Sequence, residues 1–137
     1  MKRKKDRKLT LKKYVVAIPV PWLDQDGRKL KRARVERWVR MAERELTECF
    51  GGATPVPSAG TNIVDGKILY EKGQILVHSA CDNRSEFLEK RARIGAFVER
   101  MGRDLDQRLV FVLACPSDSF LIEIETENQA KHDEENT

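Results

Sequence analysis

The chain has 137 residues, 40% hydrophobic and 35% charged, with 8 Gly, 5 Pro, 3 Cys and a formal net charge of +4. That length and composition fit one small domain, and no apolar run approaches the roughly 18–20 residues of a membrane helix. Cys49, Cys81 and Cys115 cannot all pair within the chain and show no CxxC spacing, while Pro19, Pro21 and Trp22 interrupt the apolar stretch after the basic opening; a zinc site and a secretory signal are therefore not expected, and a cytoplasmic location is.

Charge is uneven along the chain. Residues 1–13 hold eight Lys or Arg against one Asp, and residues 123–137 hold six acids against one Lys, so the middle is almost balanced. The expected organisation is a basic disordered arm over 1–13, a domain over 14–124 and an acidic disordered tail over 125–137.

The first expected strand is Tyr14–Ile18, β-branched and aromatic, ended by the Pro-Val-Pro of residues 19–21 because proline cannot donate to a central ladder. Asp24–Gly27 turns the chain. From about Leu30 to Phe50, apolar residues recur at Val35, Trp38, Val39, Ala42, Leu46, Cys49 and Phe50, the spacing of one helix face, and Gly51 and Gly52 stop it. Thr61–Val64 and Lys67–Tyr70 flank Asp65-Gly66, a hairpin signal, and Gly73 predicts a bulge or turn before Ile75–His78. A second helix begins after Asp82 or Asn83, with Phe87, Leu88, Ile94, Phe97, Val98, Met101 and Leu105 on its stripe. Leu109–Ala114, nearly all apolar, predicts a buried central strand, and a Pro-Ser-Asp-Ser turn leads to an edge strand at Phe120–Ile124.

Two long amphipathic helices, each with one apolar stripe, both require a sheet face to cover. The resulting expectation is an α+β two-layer sandwich of ferredoxin-like type, an antiparallel sheet with two helices on one face. Gly52 and Thr54 after the first helix, the Gly60 and Gly66 hairpin followed by Glu71, and Gln107 before the last core strand resemble the pattern of a group of small bacterial ferredoxin-like domains of unknown function. The resemblance spans about Tyr14 to Ile122. It implies the same fold and supplies no catalytic residues; members of that group often carry an export or lipidation segment, which is not expected here.

No phosphate loop, dinucleotide fingerprint, HExxH, GxSxG or Cys/His zinc spacing occurs, so no cofactor and no metal are expected. Glu71 and His78 are the candidate acid–base pair, provided the Gly73 bulge lets them converge; otherwise they are a solvent-facing acid and an edge histidine. Cys81, just ahead of the second helix, is a reactive thiolate if exposed and a packing residue if buried. Gly51, Gly52 and Thr54 offer loop donors to an anion, or simply cap and turn. Lys31, Arg34, Arg37, Arg40 and Arg44 on the first helix form a stripe suited to phosphates, unless intrahelical acids neutralise it.

The leading expectation is a non-enzymatic binding module that dimerises, or holds a protein partner, through the sheet face its helices leave open. The alternatives are a nucleic-acid-binding accessory protein using the basic helix and arm, and a small enzyme using Glu71 and His78.

Overall fold

The computed structural model describes residues 9–124, with backbone only at 60, 62–64 and 69–73. Six elements follow in order: β1 (Leu9–Val20), α1 (Arg32–Phe50), β2 (Thr54–Val64), β3 (Lys67–Cys81), α2 (Arg84–Asp104) and β4 (Leu113–Ile122). The sheet runs β2-β3-β1-β4, with every neighbouring pair antiparallel. Each helix thus joins two strands that have a third between them, the split βαβ arrangement of the ferredoxin-like fold.

Local chemistry sets the boundaries. Gly51 adopts φ 92°, and its N–H donates to the Thr47 carbonyl at 2.8 Å, closing α1 with a left-handed cap. The Asn83 side chain accepts from the Glu86 N–H at 2.9 Å, and the Glu86 carboxylate accepts from the Asp82 N–H at 2.7 Å, a reciprocal start to α2. Asp65 and Gly66 both take positive φ, 50° and 76°, as a tight two-residue hairpin turn demands. Ser58 pairs with Gln74 and Ala59 with Lys72, so Gly73 is the extra residue of a bulge.

The buried face of α1 is the predicted stripe: Val35, Trp38, Val39, Ala42, Leu46, Cys49 and Phe50. These side chains meet Val16, Ile18 and Val20 of β1, Val77 and Cys81 of β3, and Ile94, Phe97 and Met101 of α2 in one core. Trp38 packs edge-on against Phe97 at 5.7 Å between ring centroids, and Tyr14 stacks on Phe87 at 5.6 Å. Leu88, expected on the α2 stripe, is exposed instead.

Four boundaries differ from expectation. β1 begins at Leu9, so Leu9–Lys13 belong to the sheet rather than to a basic arm; residues 1–8 and the expected tail 125–137 lie outside the described residues. β1 also continues through Pro19, which is tolerated because β4 pairs no farther than Ala17 and leaves β1 a neighbour on one side only. β2 begins at Thr54 and contains Pro55 and Pro57, since it is the outermost strand and needs no donors on its free side.

The fourth correction is Leu109–Ala114, which is not a buried central strand. Residues 108–112 are irregular, with Val110 and Val112 turned to the core while Leu109 and Phe111 are 87% and 77% exposed. β4 starts at Leu113 and runs straight through the expected Pro-Ser-Asp-Ser turn, which accommodates its extra residue as an irregularity opposite Lys12–Tyr14. A continuous apolar run signals burial on both sides only where both sides are covered, and here one is not.

Leu46 is fully buried at the centre of the core. Leu46→Ala is expected to cost about 3 kcal/mol in urea denaturation; a loss below about 1 kcal/mol would show that the helix layer is not seated as described.

Candidate interaction surface

The geometry of the sheet's second face follows from β1. Tyr14, Val16, Ile18 and Val20 turn toward the helices, so the strand's period of two sends Val15, Ala17 and Pro19 the other way. Strand register extends that face outward. Ala17 lies between His78 and Leu113, Pro19 is opposite Leu76, and Leu76 is opposite Val56. Toward the start of β1, Leu11 pairs with Phe120 and Leu9 with Ile122. Leu9, Leu11, Val56, Leu113, Phe120 and Ile122 are all exposed, with Leu11 at 59% and Phe120 at 54%. Among the described residues, both helices pack on the opposite side; the outer residues of this face are exposed, while Ala17 and Pro19 at its centre are buried within the chain.

A cleft of about 650 Å³ opens on the same face where β1 ends. Pro19, Pro21 and Leu76 line it from the sheet, Thr61 and Gln74 from the β2–β3 hairpin, and Leu109 and Phe111 from the segment before β4. Gln107, also on its lining, donates its amide to the carbonyls of Leu23 at 2.7 Å and Leu105 at 2.9 Å, which fixes the start of that segment.

Glu71 and His78 fall on the same strand, β3. An extended strand advances about 3.3 Å per residue, so their backbones stand about 20 Å apart, too far for side chains to meet. His78 is half-buried on the open face between Ala17 and Thr54, and the Glu71 side chain lies outside the described residues. Cys81 is fully buried, and desolvation, reinforced by the Glu86 and Asp82 carboxylates, pushes its thiol up to about 11. Burial outweighs any help from the start of α2, leaving a packing residue. Cys49 is buried and its thiol raised in the same way.

In the glycine loop, the Gly51 N–H is committed to the helix cap, the Gly52 carbonyl accepts from the buried Ser79 hydroxyl, and Thr54 is the first residue of β2. Asp24, Asp26 and Asp106 bring carboxylate oxygens within 4.8 Å of one another. Asp24 Oδ1 accepts the Asp26 and Arg28 N–H groups at 2.9 Å, and Asp106 Oδ1 accepts the Gln25 amide at 2.8 Å, contacts that shape the loop.

The candidate phosphate stripe is largely engaged with carboxylates. Arg34 makes a two-pronged contact with Asp104 at 3.1 and 3.0 Å, Arg37 reaches Asp104 at 3.5 Å, and Arg44 pairs with Glu48 at 3.1 Å. Arg93 of α2 bridges Glu45 and Glu48 at 2.6 and 2.5 Å, and with Arg44 it lowers the Glu48 pKa. Lys31 and Arg40 are exposed.

Asp104 is the residue that sequence reasoning missed. Besides the arginines it accepts the Trp38 indole N–H at 2.6 Å, tying α1 to the end of α2. A signal existed: a carboxylate in the last turn opposes the helix dipole, so its presence there calls for a cation or donor from elsewhere.

No family model matches the chain, and no curated protein matches it. Among solved structures, it is similar to a phage SAM lyase in complex with S-methyl-5'-thioadenosine, with TM-score 0.58, 13% identity, and 88% of this chain and 95% of that one covered. A phage SAM lyase in the apo state aligns with TM-score 0.52 and 15% identity over 90% of this chain and 94% of that one. The divalent cation tolerance protein CutA1 from Thermus thermophilus aligns at 0.48 and 14%, covering 78% and 85%. The lyase likeness is one of fold: the chain is a small ferredoxin-like α+β protein. No helix among the described residues is long and apolar enough to cross a membrane.

The Arg34 guanidinium and the Trp38 indole hold the Asp104 carboxyl down at about 2, against an ordinary value of 3.8. A depressed folded-state pKa contributes stability above the ordinary value and loses it as pH falls through the folded one. Trp38→Phe is expected to cost about 1–2 kcal/mol near neutral pH, and the stability gap between wild type and Asp104→Asn should close as pH falls from 4 to 2; urea denaturation with a gap unchanged across that range would contradict the latch.

Proposed function

We propose that this chain is a non-enzymatic interaction module of the cytoplasm that works by binding further copies of itself through the open face of its sheet. The observation that carries this reading is the exposed apolar group of Leu9 and Leu11 with their cross-strand partners Ile122 and Phe120, on the same face as the exposed Leu113 and Val56. A contiguous apolar face on a small protein signals a partner surface. The same reading takes the chain as one of the small bacterial ferredoxin-like group, on the Gly52, Thr54, Gly66 and Gln107 pattern.

The alternatives have less support. Nucleic-acid binding by α1 would draw on Arg34, Arg37 and Arg44, each of which already faces a carboxylate. Catalysis by Glu71 and His78 would require a convergence that one extended strand does not provide. The lyase likeness adds no chemistry at 13% identity.

Sedimentation velocity over a concentration series tests the reading. The full chain is expected to associate, and Leu11→Asp with Phe120→Asp is expected to weaken association at least about 100-fold while leaving the circular dichroism unchanged, since both side chains are exposed. A chain that stays monomeric at all concentrations would overturn it.

A further inference from the structure

The first and last strands leave the sheet side by side. Leu9, where β1 begins, pairs with Ile122, where β4 ends, and the two strands are antiparallel, so the residues before Leu9 and those after Ile122 continue from the same end of the sheet. Paired strands stand about 5 Å apart. The two segments that start there are opposite in charge. Lys2, Arg3, Lys4, Lys5, Arg7 and Lys8 accompany only Asp6, while Glu123, Glu125, Glu127, Asp133, Glu134 and Glu135 accompany only Lys131, so net charges of +5 and −5 begin from neighbouring positions.

The body of the domain has already engaged several of its own acids. Asp82 holds Lys12 at 2.7 Å, Asp104 holds Arg34 at 3.0 Å, and Glu45 and Glu48 hold Arg93 at 2.6 and 2.5 Å. The acids after Ile122 start closer to the basic segment than those of the helices do, and the spacing at the root is shorter than the Debye length of about 8 Å at physiological salt. Tethering two groups this closely gives an effective concentration on the order of millimolar, so even a weak contact between them is populated.

We propose that the acidic segment after Ile122 is the partner of the basic segment before Leu9 within one chain, and that this contact withholds the basic side chains from outside polyanions. A nucleic-acid strand reaching residues 2–8 must first displace the acidic segment, so its apparent affinity falls by the fraction of chains in which the contact is open. The proposal is independent of the self-association reading, because it joins two parts of the same copy.

Carbodiimide crosslinking, which joins a lysine amine to a carboxylate in contact with loss of water, tests the contact in the full chain, using an equal mixture of ordinary and isotopically heavy copies. Links between residues 2–8 and 123–135 within single copies are expected at low salt and should vanish at about 1 M salt, where the Debye length shrinks to about 3 Å. Links only between light and heavy copies, links from residues 2–8 to helix acids instead, or no links at all would overturn the proposal. The withholding is read separately, by titrating a fluorescent single-stranded oligonucleotide. Glu123→Gln with Glu125→Gln and Glu127→Gln is expected to tighten binding at least about threefold, and to add nothing once residues 2–8 are deleted. An unchanged affinity, or a gain that persists without residues 2–8, would overturn it.

Discussion

Strand β1 has two faces, and the chain supplies helices for only one. Val16, Ile18 and Val20 lock against α1 and α2, and because successive strand residues point to opposite sides, Ala17 and Pro19 must then face away from that core. Register carries the consequence through the sheet, placing Leu76 and Val56 on one side of β1 and Leu113 on the other. Everything distinctive about the surface follows from this mismatch between a sheet with two apolar faces and a single helical layer.

The helix layer is legible in the sequence because its signals are local. The α1 stripe from Val35 to Phe50, the Gly51 stop, the Asn83 start and the Asp65-Gly66 turn each depend on residues within a few positions. The features that differ from expectation depend on neighbours distant in sequence. Pro19, Pro55 and Pro57 are compatible with strands here only because of where β4 ends and because β2 is outermost, facts of topology. Leu109–Ala114 departs from a buried strand for the same reason: Val110 and Val112 find a core, but Leu109 and Phe111 find no cover within the described chain. Of the candidate sites, the open face is foreseeable by counting layers, while the Asp104 contact with Arg34 and Trp38 joins residues about 70 positions apart and leaves only its unfavourable place on the helix dipole as a trace.

Electrostatics here organise the helix layer. Asp104 collects Arg34 and Arg37, Arg93 collects Glu45 and Glu48, and Lys12 reaches Asp82 at 2.7 Å near the start of α2. Exposed pairs of this kind contribute little stability each, but they fix the relative placement of elements that apolar contact alone orients loosely. Burial raises the Cys81 thiol, and Glu71 and His78 lie about 20 Å apart along the backbone of β3. The exposed apolar residues on the other side of the sheet are the surface on which the proposed self-association rests.

The proposal that a second copy covers the open face is tested most directly by NMR of the full chain over a dilution series, comparing the side-chain resonances of Leu9, Leu11, Phe120 and Ile122 with those of Val35, Leu46 and Met101 in the core. The open-face resonances are expected to shift with concentration while those of the core stay fixed. Open-face resonances unchanged at every concentration would show that no second copy covers them and would contradict the account.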